Sequence, residues 1–238
     1  MNTVPKAADM AAYVFTPPTQ ATLSIAGTSE LFPVHRVYCV GRNYAAHAVE
    51  MGHDPDKEPP FFFQKNPDNL ISDAKEFPYP KASSDVHHEI ELLVALKSGG
   101  EDISVEDALN HVYGYAVSLD MTRRDLQGQM KKMGRPWEIG KSFEMSGPSG
   151  PIVPASKIGH PDQGAIWLKI NDELRQSGDL NQMIWKTAEM ISILSTLFTL
   201  QPGDIIMTGT PAGVGPVERG DRMHGYVEGV GDLHLTVT

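Results

Sequence analysis

Cysteine is nearly absent from this chain. Cys39 stands alone among 238 residues, which excludes an intrachain disulfide and any thiolate-held zinc cluster. No stretch approaches the ~20 consecutive apolar residues that a membrane-crossing helix needs. Met1 to Thr16 carry neither a basic start nor a continuous apolar core, so no signal peptide is read and the expected location is the cytoplasm. Basic side chains are the minority, 20 Lys and Arg against 30 Asp and Glu, for a formal charge of -10. That balance speaks against nucleic acid and against an anionic membrane surface as partners. It leaves room for an anionic small molecule, because a bound cation reverses the local field. Repeats at solenoid or propeller periods and low-complexity tracts are also missing. What is present is an ordinary globular balance, 40 % hydrophobic and 21 % charged, enough for one large domain with its own core.

Residues 1–33 read as a small appendage, with Tyr13-Val14-Phe15 and Ala21 to Ile25 as short strands about Pro17-Pro18. Residues 34–238 read as the main domain. Val34 to Val40 is an apolar, β-branched strand ending at Gly41. Between Gly52 and Asp85, Pro55, Pro59, Pro60, Pro67, Pro78 and Pro80 preclude long helices, and a loop of this length is often functional. Further strands are predicted at Glu89 to Leu96, Val112 to Leu119, Ile166 to Ile170 and Asp204 to Met207. Helices are predicted from Ser104, capped with Asp107, around Arg123 to Lys132, and along Met183 to Phe198, ended by Pro202-Gly203. Short strands with few helices point to a β-rich α+β fold rather than a doubly wound sheet.

The segment from His87 to Val94 is the most informative. On a strand Glu89 and Glu91 share a face, roughly 6.6 Å apart, and two such carboxylates repel unless a cation sits between them. Mg2+ or Ca2+ suits all-oxygen ligands; an E-x-E pair is otherwise the solvated face of an edge strand. Asp120, at the end of a core strand, tips the balance toward a three-carboxylate site, although Asp there also serves as a helix cap. In Gly41 to Glu50, His47 and Glu50 lie three apart and share a face on a helical turn. A carboxylate-oriented imidazole is a general base for water; the alternative is a surface pair. Lys141 is suited to hold an oxyanion or a carboxylate, or is simply solvated. Thr208 to Gly215 is not a Walker loop, having no Gly-Lys-Ser/Thr and no helix after it; it is a tight turn whose amides and Thr210 hydroxyl can bind an anion.

These motifs together resemble the fumarylacetoacetate hydrolase superfamily. The likeness runs from about Val37 to the C-terminus through V-x-C-V-G-R-N-Y-A-x-H-x-x-E-M, H-H-E-x-E-L, L-D-M-T-R-R-D-L-Q, G-R-P-W-E-x-x-K-S-F and P-G-D-I-I-M-T-G-T-P-A-G-V-G, in that order. The resemblance implies a mixed β-sandwich roll, a homodimer, and Mg2+ or Mn2+ in the site, with Ca2+ acceptable to the same ligands. It implies Glu89, Glu91 and Asp120 as metal ligands, and His47 with Glu50 as a water-activating dyad on a lid. It places Lys141 near the metal, and Arg42, Gln127 and Thr210 around the substrate. Glu144-Met145-Ser146-Gly147 departs from the Asp-x-x-Cys of many small relatives.

Among subfamilies the chain most resembles bacterial fumarylpyruvate hydrolases of gentisate breakdown. The implied reaction is metal-dependent hydrolysis of an acylpyruvate, with Arg42, Arg123 and Arg124 as candidates for a second carboxylate. The alternatives are decarboxylation of oxaloacetate, decarboxylation or isomerisation of a homoprotocatechuate-pathway dioate, and, from another class, a non-catalytic module that binds metal and oxo-acid.

Overall fold

The structure is a computed structural model in which residues 13–45, 59–73 and 75–238 are described. The strand order of its largest sheet brings distant parts of the chain side by side. Ile205–Met207 lies between Val37–Gly41, to which it is parallel, and Ile90–Leu96, to which it is antiparallel. Phe61–Lys65 flanks Val37–Gly41 on one side. On the other side Val112–Leu119, Gly147–Ser149 and Leu70–Ser72 continue the sheet. A five-stranded sheet, running Glu173–Asp179, Ala165–Ile170, Arg222–Val227, Gly231–Val237 and Glu76–Phe77, packs against one of its faces. The helix Thr187–Leu197 joins that same core through Met190, Ile191 and Leu194. This is a β-rich α+β fold with mixed sheets, as expected.

The Ile90–Leu96 strand is buried over its whole length, and the reason is packing on both faces. Ile90, Leu92, Val94 and Leu96 enter the core beneath the five-stranded sheet. Leu93 and Ala95 enter a second core with Val37, Cys39, Ile205 and Met207. Leu23, Ile25 and Phe32 close that second core, delivered by a hairpin of Thr22–Ser24 and Leu31–Pro33. The face that carries Glu91 is therefore interior, so the solvated-edge alternative does not apply.

Several predicted elements recur with small shifts: Val112–Leu119 is unchanged, and Arg124–Met133 and Thr187–Leu197 are the two longest helices among the described residues. Ser104 caps Val105–Ala108 by accepting the amide of Asp107. Tyr13 to Phe15 form no strand and are exposed; Thr22–Ser24 pairs with Leu31–Pro33 instead. The proline-rich stretch contains three strands, because its prolines fall between them rather than within them.

Leu92 is fully buried between the two sheets. Leu92→Ala is expected to lower the unfolding free energy by about 2–5 kcal/mol, read as a shift of the denaturant midpoint; an unchanged midpoint would contradict this packing.

Candidate active site

Glu89 sits at the break between Val86–His88 and Ile90–Leu96, Glu91 follows inside the strand, and Asp120 leaves the end of Val112–Leu119. Backbone pairing fixes their proximity: Glu91 lies opposite Ser118, and the Asp120 amide donates to the Glu89 carbonyl at 2.9 Å. One carboxylate oxygen from each of the three falls within 4.8 Å of the others, and all three residues are buried.

Three cations answer them. The Lys141 ammonium lies 2.8 Å from Glu89 Oε2 and 2.6 Å from Asp120 Oδ2. Arg124 pairs with Glu89 Oε1 and donates to Gln127 Oε1 at 2.7 Å. Lys65, fully buried, comes within 2.8 Å of Asp120 Oδ1. Its ammonium also donates to Ser146 Oγ at 3.0 Å and to the Lys141 carbonyl, tying the two lysines into one unit. Burial pulls the Lys141 ammonium down, but Asp120 and Glu89 outweigh it and hold its pKa above the ordinary value. Among the described residues Glu91 forms no ion pair. Burial first, then Asp120 and Glu89, raise its carboxyl well above the usual range; the charge of Lys141 and the amide of Gly209, 2.9 Å from Oε2, only partly offset this.

Two glycines make this approach possible. Gly209 has φ +90°, and a Cβ there would meet Asn43 Cβ at 2.8 Å. Asn43 in turn is buried and bridges Thr208 and Trp185 through three hydrogen bonds of 2.7–3.0 Å. Gly140 lets the short helix Glu138–Lys141 press onto Gln127, where a Cβ would come within 2.8 Å of the Gln127 backbone. That contact aims Lys141 at the carboxylates.

Above them is a cleft of about 430 Å3, open mouth included. Arg42, Arg124, Gln127, Lys141 and Thr210 all line it. Thr210 is already engaged, donating to the Ile90 carbonyl at 2.7 Å and accepting from Gln176 at 2.8 Å. Arg42 has φ +59° and lies over the Phe61 ring at 5.1 Å. Arg123 is not in the cleft; its guanidinium stacks over Phe143 at 4.2 Å. His47 and Glu50 lie outside the described residues. Glu144 to Gly147 run beneath the site, where Ser146 meets Lys65.

Sequence reading missed Lys65, Lys131, Trp137 and Gln176. Lys65 fell in the stretch read as loop, although an apolar run ending in one lysine, Phe61-Phe62-Phe63-Gln64-Lys65, carries a strand signal. Lys131 is half-buried at the rim, 5.6 Å from the centre of the Trp137 ring, and among the described residues it pairs with no carboxylate. Burial, followed by the positive charges of Arg42 and Arg124, lowers its pKa. Gln176 reaches over from the five-stranded sheet: its Oε1 lies 2.8 Å from His88 Nδ1 and accepts from the Ile90 amide at 3.0 Å.

The cluster fits a divalent cation. Asp120 Oδ1 is buried without a hydrogen-bond donor, its contact with Lys65 being ionic rather than well directed. Among the described residues Glu91 has no ion pair and accepts from one amide, and an all-oxygen set is what hard divalent ions take.

The model of the fumarylacetoacetate hydrolase C-terminal domain matches residues 36–238. The chain belongs to the fumarylacetoacetate hydrolase family. Within the family it is similar to the fumarylpyruvate hydrolase of Pseudomonas aeruginosa, solved with Mn2+ and pyruvate: 54 % identity, TM-score 0.94, covering 95 % of this chain and 99 % of that one. The fumarylpyruvate hydrolase of a Ralstonia species is 43 % identical over 79 % of this chain and 98 % of its own. A mitochondrial oxaloacetate tautomerase of Oryza sativa is 40 % identical over 85 % of this chain and 90 % of its own. Among the described residues no helix is long and apolar enough to cross a membrane.

Glu91→Gln and Asp120→Asn are each expected to weaken Mn2+ binding by about tenfold or more in calorimetric titration; wild-type affinity in both would rule out the carboxylate cluster as the ion's seat. His88 makes a second expectation. Burial lowers its pKa to about 4, so it is neutral in the fold while the unfolded chain takes up a proton near 6.5. Its contribution to stability is whole above about 6.5 and is lost as pH falls toward 4. His88→Gln should flatten the pH dependence of the melting temperature in that window.

Proposed function

We propose that this chain is a metal-dependent hydrolase that cleaves the carbon–carbon bond of an acylpyruvate, with fumarylpyruvate as substrate and fumarate and pyruvate as products. What carries the reading is one cleft with a carboxylate floor and a separate cationic rim, on a chain 54 % identical to a fumarylpyruvate hydrolase. The floor suits a cation for the 2-oxo acid end. The rim, Arg42 and Lys131 over Phe61 and Trp137, suits a planar unsaturated acyl group ending in a second carboxylate. In the same reading Mg2+ is the resident ion, the enzyme is a homodimer, and gentisate-type aromatic breakdown in the cytoplasm is its setting.

Glu89, Glu91 and Asp120 would hold the ion, which when bound supplies Lewis acidity to the 2-oxo acid and offsets the charge of the leaving group. His47, oriented by Glu50, takes a proton from water. The hydroxide adds to the distal carbonyl carbon, and Lys141, kept protonated by its carboxylate neighbours, stabilises the oxyanion. The bond from that carbon to the methylene then breaks. Its electron pair leaves with the methylene as the enolate of pyruvate, and the proton on His47 passes to the methylene carbon. Arg124 and Gln127, bonded to each other, line the wall against which the substrate is held.

The tautomerase relatives favour a second reading, proton transfer on oxaloacetate without cleavage. With Mg2+ or Mn2+, fumarylpyruvate should lose its diketone absorbance and release one pyruvate per turnover, and a chelator should abolish this. Turnover of oxaloacetate alone would move the chain to the tautomerases. His47→Ala should lose hydrolysis and keep oxalate binding. Lys131→Met should lower kcat/KM for fumarylpyruvate by about tenfold to a hundredfold and leave acetylpyruvate nearly unchanged, with Lys131→Arg restoring most of the loss; an equal loss on both substrates would remove Lys131 from acyl recognition.

A further inference from the structure

The outer face of the five-stranded sheet carries a second convergence of metal-ligating side chains. Along Arg222–Val227 and Gly231–Val237, Met223, Gly225, Val227, Leu233 and Leu235 point inward; at Gly225 a Cβ would come within 2.7 Å of Ile90 Cδ1, on the main sheet. The alternate residues His224, Asp232 and His234 therefore face outward, on the side of this sheet away from Glu89, Glu91 and Asp120. His224 lies directly opposite His234 in the antiparallel register, and Asp232 is two residues before His234 on the same face. The two imidazoles stack with centroids 3.8 Å apart and planes 24° apart. Asp232 Oδ1 is 2.6 Å from His224 Nε2. One donor atom from each of the three lies within 4.8 Å of the others.

We propose that His224, Asp232 and His234 form a site for a borderline transition-metal ion, Zn2+ or Cu2+ in class, distinct from the carboxylate centre. Two imidazole nitrogens and one carboxylate oxygen are donors that such ions prefer over Mg2+ or Ca2+, whereas Glu89, Glu91 and Asp120 offer oxygen alone. Tetrahedral Zn2+ holds its donors about 3.3 Å apart, a closure that rotation of the outward side chains supplies. The site is partly preorganised, since the Trp167 edge packs on His224 at 4.8 Å and Trp167 stacks on Tyr226. The neighbouring charges are Lys75 and Arg222, with Arg222 held by Asp172 at 3.2 Å, and Lys169, whose ammonium lies over Trp167. The fourth position faces solvent and is open to water. An ion there would join the two strands that end the chain.

The test is Zn2+ titration of the full chain and of His234→Ala and His224→Gln, with Cu2+ electron paramagnetic resonance alongside. The wild type should bind one more Zn2+ per chain than either variant, and its Cu2+ spectrum should show nitrogen ligation that His234→Ala reduces. Zn2+ should raise the melting temperature of the wild type more than that of the variants. Identical stoichiometry, affinity and Cu2+ spectra across all three proteins would overturn the site, as would a wild type that binds Zn2+ only where Mg2+ competes. Neither substitution touches the carboxylate centre, so failure here leaves the hydrolase reading standing, and absence of hydrolysis leaves the Zn2+ count unaffected.

Discussion

The structure is organised around an electrostatic cost: three carboxylates held together out of water. Isolated carboxylates in such surroundings would simply take up protons. Here Lys141, Lys65 and Arg124 converge from three separate elements on Glu89 and Asp120. Among the described residues Glu91 forms no ion pair, and burial with its two carboxylate neighbours raises its carboxyl well above the usual range despite the charge of Lys141 and the Gly209 amide. The imbalance is informative, because a divalent cation is the partner whose charge completes the set. The cost of bringing like charges together is met locally by Lys141, Lys65 and Arg124, which explains why a buried Lys65 is tolerated where a lysine would otherwise be expelled.

The surrounding fold can be understood as what holds those cations on target. Gly140 against Gln127 aims Lys141, the end of Phe61–Lys65 delivers Lys65, and the bond from Arg124 to Gln127 orients Arg124. Gln176 performs the corresponding service for the backbone: one side chain joins His88, Ile90, Thr210 and Pro211 across two sheets. The cleft thus has a floor of carboxylates with the cations that pair with Glu89 and Asp120, and a rim of aromatic and cationic side chains.

Much of this was legible in the residues. Alternation from His87 to Leu96 placed Glu89 and Glu91 together, and the apolar run into Asp120 located the third carboxylate. The same alternation also suggested one solvated face, and there it was incomplete: Leu93 and Ala95 lie on the Glu91 face, and only the pairing of Ile205–Met207 with both neighbours reveals that they are buried. Lys131 and Gln176 were invisible for a related reason. Lys131 is one of several polar residues on a polar helix, and Gln176 acquires meaning only when the second sheet docks. Arg123 and Arg124 are adjacent and chemically alike, yet one faces the cleft and the other Phe143, a choice made by the start of Arg124–Met133 and not by residue type.

The central position of Ile205–Met207 has a consequence for biosynthesis. A ribosome delivers this strand long after Val37–Gly41 and Ile90–Leu96, yet it belongs between them. Until it emerges, Val37–Gly41 and Ile90–Leu96 cannot take their places in one sheet, and Gly209 is not yet there to receive Glu91. The nascent protein therefore passes most of its synthesis with apolar strand edges unpaired and open to chaperones or to aggregation.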